Sequence, residues 1–139
     1  MGYALFAQRK LVISGLINSV QLQQTQRSDE QMRLATNTIS LQADITALQA
    51  NQSYKLQDLY SELSSAEDSS ERESIQADIK GVQEEFEGEI AQINQKIYMI
   101  SIKENALEME VKRLDTRLEA LKKQRENIEK AEQDGIDKS

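Results

Sequence analysis

At 139 residues, with 38% hydrophobic and only 4% aromatic side chains, the chain is long enough for one domain but lean for a compact globular core. It holds no His and no Cys, which removes an imidazole base, a thiolate nucleophile, a disulfide and a structural zinc site together. A net charge of −7 opposes a nucleic-acid backbone, and neither G-x-x-x-x-G-K-[ST] nor G-x-G-x-x-G occurs to cradle a phosphate. The expectation is a non-enzyme with no catalytic residue, no cofactor and no metal.

Residues 1–22 read as an apolar N-terminal helical segment built for assembly. Leu5, Phe6, Leu11, Val12, Ile13, Leu16, Ile17 and Val20 fall on more than one helical face within a few turns. The run Leu11 to Val20 follows Arg9-Lys10 and faintly resembles a signal core. Ser14, Gly15, Asn18 and Ser19 dilute it, and no A-x-A site follows. No stretch of about 20 apolar residues exists to span a bilayer. The compartment stays open between the cytoplasm and export by a route that reads no cleaved signal.

Residues 23–63 read as the first arm of a coiled coil. A stripe with alternating spacings of three and four runs Ile13, Ile17, Val20, Gln24, Arg27, Gln31, Leu34, Thr38, Leu41, Ile45, Leu48, Gln52, Leu56, Leu59, Leu63. Such spacing keeps every one of these residues on one seam of an α-helix. Residues 75–134 read as the second arm. Its stripe runs Ile75, Ile79, Val82, Phe86, Ile90, Ile93, Ile97, Ile100, Glu104, Leu107, Val111, Leu114, Leu118, Leu121, Arg125, Ile128. Residues 135–139 read as a tail.

Each arm departs once from the heptad. Leu48, Gln52 and Leu56 are spaced four and four, and so are Val82, Phe86 and Ile90, a stutter that locally unwinds a coiled coil. Gln52 and Phe86 are equidistant from Ser69, inside residues 64–74, where the apolar stripe vanishes. Folding at that tip sets the two stutters side by side, with Leu63 facing Ile75, Leu59 facing Ile79, Leu48 facing Ile90, Ile45 facing Ile93 and Val20 facing Leu118. The fold class is therefore all-α, a long antiparallel helical hairpin packed into a larger helical assembly. A straight parallel rod is the competing shape, because the tip holds neither Gly nor Pro. At the tip, Ser70-Glu71-Arg72-Glu73 has capping-box spacing, with Ser70 expected to cap the second arm.

Three features point to a partner. The apolar N-terminal segment faces Thr116 to Lys130, which offers only Leu118, Leu121 and Ile128 among many charges. Residues 1–63 carry five basic and five acidic groups, whereas residues 64–139 carry twelve and nineteen. Between Leu34 and Tyr54 the only charged residue is Asp44, which suits a helix buried inside an assembly. Gln24, Arg27 and Gln31 oppose Leu114, Val111 and Leu107, which would leave that apolar stretch to another chain. Glu84, Glu85, Glu87 and Glu89 read as a solvated face, since no calcium-loop pattern accompanies them. Tyr3, Tyr54, Tyr60 and Tyr98 are expected to cap or pack the seam.

The expectation is a structural protein that self-assembles through helical hairpins into a filament, fibre or other homo-oligomer, its partner being itself. The alternative is a coiled-coil adaptor, stalk or assembly chaperone of a larger complex of secretion or phage type. A membrane-surface coiled coil, docked through Arg9 and Lys10, is the weakest reading. In layout the chain is similar to secreted helical polymers such as flagellin terminal helices and type III secretion needle subunits. That likeness is architectural and no motif carries it.

Overall fold

The computed structural model describes residues 2–137, with side chains described through residue 135. Two helices account for nearly all of it: α1, Gly2–Ser65, and α2, Ser69–Asp137. They pack against each other as an antiparallel hairpin, and no strand occurs among the described residues. Without proline in the chain, nothing removes a backbone donor from either helix interior. Helices this long are held by packing of the apolar stripe rather than by propensity alone. Every seam position expected from the sequence is buried or half-buried, from Ile13 to Leu63 on α1 and from Ile75 to Ile128 on α2.

The chain divides into two compact units, Leu34–Ile102 and Met1–Arg33 with Lys103–Ser139. In the Leu34–Ile102 unit, Ala66, Ile75 and Ile79 form the buried core, with Leu56, Leu59 and Leu63 packed against it. This is the pairing expected from a fold at the tip. The two stutters do lie together: Leu48, Gln52, Val82 and Phe86 line one cavity of about 210 Å³. Four-residue spacing on both helices turns the seam side chains away from close interdigitation at the same level, which leaves this gap.

The tip is shorter than its sequence suggests. Of residues 64–74, only Ala66, Glu67 and Asp68 lie outside helix; Ser64 and Ser65 finish α1, and residues 69–74 belong to α2. The cap is Asp68 and not Ser70. The Ser70 backbone N–H donates to Asp68 Oδ1 at 3.2 Å, and the Arg72 N–H donates to the Asp68 carbonyl at 3.0 Å. Asp68 also stands three residues before Glu71, so the capping spacing is met two residues earlier than expected. Closing the turn early lets Ala66 tuck in at 3% exposure. Its N–H donates to the Leu63 carbonyl at 3.3 Å, and its carbonyl accepts from Arg72 Nε at 3.0 Å. Among the described residues none has positive φ, so this link needs no glycine.

In the other unit, Ile13, Ile17, Val20, Leu114 and Leu121 form the buried core, with Leu118 and Ile128 packed against it. Val20 is 1% exposed. Of the residues 135–139 expected as a tail, 135–137 belong to α2, which continues to Asp137, and residues 138 and 139, like Met1, lie outside the described residues.

Candidate assembly surface

The N-terminal turns of α1 carry apolar residues around the helix, and the seam takes only some of them. Ile13, Ile17 and Val20, expected on an assembly surface, are buried in the chain's own core instead. Their spacing of four and three matches the seam, so α2 covers them first. Leu5, Leu11, Val12 and Leu16 are exposed, and Phe6 is half-buried. Leu11 is 74% exposed, and Leu22, eleven residues on, is also exposed. At 100° per residue, Leu5, Val12 and Leu16 share a flank about a quarter-turn from the seam, whereas Leu11 and Leu22 share the far side. Leu5, Val12 and Ile13 with Ile128 line an open groove of about 280 Å³, closed at its polar edge by Gln8 and Arg9.

Polar contacts fix the register of this unit. Gln24 Nε2 donates to Asp115 Oδ1 at 2.6 Å, and Arg27 Nε donates to Glu110 Oε1 at 2.8 Å. Arg27 also pairs with Glu30 at 3.4 Å. Leu107 and Leu114 are buried behind these contacts, so the stretch expected to await another chain is already covered within the hairpin. The polar seam residues turn their ends outward to carboxylates flanking the α2 stripe, a common solution for long amphipathic side chains. Further along, Lys10 Nζ lies 3.1 Å from Glu132 Oε2. The close contact with the Glu132 carboxylate holds the Lys10 ammonium above lysine's ordinary pKa of 10.5, against an opposing desolvation effect, with the charge of Glu129 adding to the rise.

No protein-family model, curated protein or solved structure matches this chain.

Several expected residues lie elsewhere than the sequence suggests. Tyr3, Tyr54, Tyr60 and Tyr98 are all exposed rather than packed on the seam. None of them falls on a seam position. Glu84, Glu85, Glu87 and Glu89 are exposed along α2. Among the described residues no group of three or more carboxylates converges as a metal site would require, and no helix is long and apolar enough to cross a membrane. The seam residues Leu41, Ile45, Leu48, Leu56, Leu59, Leu63, Val82, Phe86, Ile90, Ile93, Ile97 and Ile100 are half-buried, and Ile75 and Ile79 are buried. The exposed apolar residues Met32, Ile39, Met99, Ile102 and Met109 carry no signal in the seam period. Reading the outward heptad positions for missing charge would have found them.

Proposed function

We propose that the chain is a structural subunit that assembles with further copies of itself through the outer surface of its hairpin. The observation that carries this reading is the uncovered apolar surface of the N-terminal turns, where Leu5, Leu11, Val12, Leu16 and Leu22 remain exposed after the seam is complete. Apolar area left in water at several adjacent positions favours a partner at roughly 25 cal/mol per Å² covered. Unequal charge supports the same reading: α1 is nearly charge-free over residues 34–54, and α2 carries most of the acidic groups. In a solvated hairpin both outer faces would be expected to be charged. The reaction classes that need an imidazole or thiolate are closed to this sequence, and the proposed role is not catalytic.

The groove between Leu5, Val12 and Ile128 favours a second reading, in which the N-terminal end docks on a different protein as an adaptor or stalk. Sedimentation velocity and electron microscopy of the purified chain separate the two. Regular polymers that dissolve when Val12 and Leu16 are both changed to Asp support self-assembly, because neither residue belongs to the buried core. A stable monomer at tens of micromolar would overturn it in favour of the adaptor.

A further inference from the structure

The Leu34–Ile102 unit has two outer faces, one on each helix and each turned away from the seam. On α1, Ile39, Ala43, Ala50 and Tyr54 recur at spacings of four, seven and four, opposite the seam residues Leu41, Ile45, Leu48 and Gln52. Ile39 is 66% and Tyr54 70% exposed. On α2, Gly81, Gly88, Ala91, Gln95, Tyr98 and Ile102 recur opposite Ile79, Val82, Phe86 and Ile90, and Tyr98 and Ile102 are likewise exposed. These are the positions that a two-stranded coiled coil in water fills with charge, yet between Gly81 and Ile102 Glu84 alone interrupts them on α2, and between Ile39 and Tyr54 no charge does on α1.

We infer that copies of this chain pack side by side with their tips aligned, the outer face of α1 on one copy against the outer face of α2 on the next. The inference rests on the self-assembly reading above and adds a second contact surface to that of the N-terminal turns. Three observations select this occupant. First, charge: residues 69–102 hold seven acidic and three basic groups, so α2 against α2 brings together two helices of net negative charge, whereas residues 34–54 of α1 hold one charge, Asp44. Second, shape: the level at which Gln52 meets Phe86 sets Tyr54 opposite Glu84, between Gly81 and Gly88 of an aligned neighbour. A tyrosine knob there enters a hole edged by two glycines, and its hydroxyl can donate to the Glu84 carboxylate. Ile39 falls at the level of Tyr98 and Ile102. A Cβ at Gly81 or Gly88 would meet nothing within 4 Å, so no contact inside the chain accounts for either glycine.

Third, area: residues 34–65 of α1 span about 48 Å at 1.5 Å per residue, and a strip about 10 Å wide along them gives roughly 500 Å² per partner. That is about 1,000 Å² in all, the lower bound for a specific interface, and each copy makes two such contacts. Because the two faces differ and lie on opposite sides, the contact is head-to-tail and repeats instead of closing as a dimer.

The chain has no cysteine, so single replacements give unambiguous cross-links. Ala43 and Gln95 face outward at the same level, and neither is a knob or a hole residue. Ala43→Cys and Gln95→Cys proteins, mixed and oxidised, should yield the mixed disulfide dimer as the main product, with each variant alone cross-linking several-fold less. Tyr54→Glu should abolish assembly in sedimentation while leaving helical circular dichroism unchanged. Dominant Ala43 or Gln95 homodimers would overturn the pairing. So would sedimenting polymers that give no cross-link, and that result leaves self-assembly itself standing. A monomer under all conditions overturns both readings.

Discussion

Ile17 and Leu11 lie six residues apart on α1, yet their replacement by Ala should act on different equilibria. Ile17 is 3% exposed in the core with Val20 and Leu121. Truncating a buried Ile to Ala costs about 2–5 kcal/mol, and a two-helix seam, which collapses more readily than a globular core, lies at the lower end. Ala gains a few tenths of a kcal/mol in helix propensity over Ile. The expected loss is about 2 kcal/mol of hairpin stability, independent of protein concentration. Leu11 is 74% exposed, so its removal should change hairpin stability by less than about 0.5 kcal/mol. In an assembly that covers it, the same change forfeits roughly three-quarters of the 1.5–3 kcal/mol for burying a Leu. That is about 1–2 kcal/mol, or 5–30-fold in association. Urea unfolding followed by circular dichroism at a dilution where sedimentation finds monomer measures the first term. Sedimentation across a concentration series measures the second. The assignment fails if Ile17→Ala leaves the unfolding midpoint unmoved, or if Leu11→Ala shifts it in the monomer.

Asp68→Ala should lower stability by about 1 kcal/mol in the same urea assay, because it removes the side-chain acceptor from the first turn of α2, while Ser70→Ala should have little effect. Lys10 has its pKa raised in the folded chain, so the stability it contributes is fully present below lysine's ordinary value of 10.5 and is lost as pH rises through the higher folded value. Unfolding midpoints of the parent chain and Lys10→Met should therefore converge above that window; parallel profiles would show that the Glu132 contact contributes nothing. Gly88→Ala should stabilise the isolated hairpin by up to about 1 kcal/mol, since the new Cβ enters open space. The same variant should assemble less well than the parent, and a gain in both measurements would remove the hole from the proposed contact.

The two helices and their pairing were legible because one physical constraint repeats along the chain. Each seam residue must return to the partner every three or four positions, and the matched four-four spacings at Gln52 and Phe86 admit one alignment of the arms. The shared cavity of Leu48, Gln52, Val82 and Phe86 follows from that alignment. The tip was less legible because two capping signals overlap there. Asp68 and Ser70 each precede a Glu by three residues, and local spacing does not choose between them. Burial of Ala66 against Ile75 and Ile79 goes with the earlier cap, a tertiary effect absent from any short window. Ile13, Ile17 and Val20 belonged to two patterns at once, the seam and the greasy N-terminal segment. The seam took them because their side chains already project toward α2. A seam-centred reading misplaces Tyr54 and Tyr98, which lie outside its period, where the informative signal is the lack of charge around them.

A two-helix seam also limits how far its own residues can be dried. Away from the tip core in the Leu34–Ile102 unit, Ile45, Leu48, Phe86, Ile90 and Ile93 occupy seam positions and are still only half-buried. Each has one neighbouring helix, and the flanks of the seam stay open to water. Globular cores avoid this by surrounding an apolar side chain with contacts from several elements. A hairpin can approach that state only by acquiring helices alongside it. The features that invite such neighbours, the nearly charge-free α1 between Leu34 and Tyr54 and the small residues Gly81 and Gly88 on the outer side of α2, lie in this same unit. Thin burial inside the hairpin and missing charge outside it would thus both be accounted for by the row of hairpins proposed above.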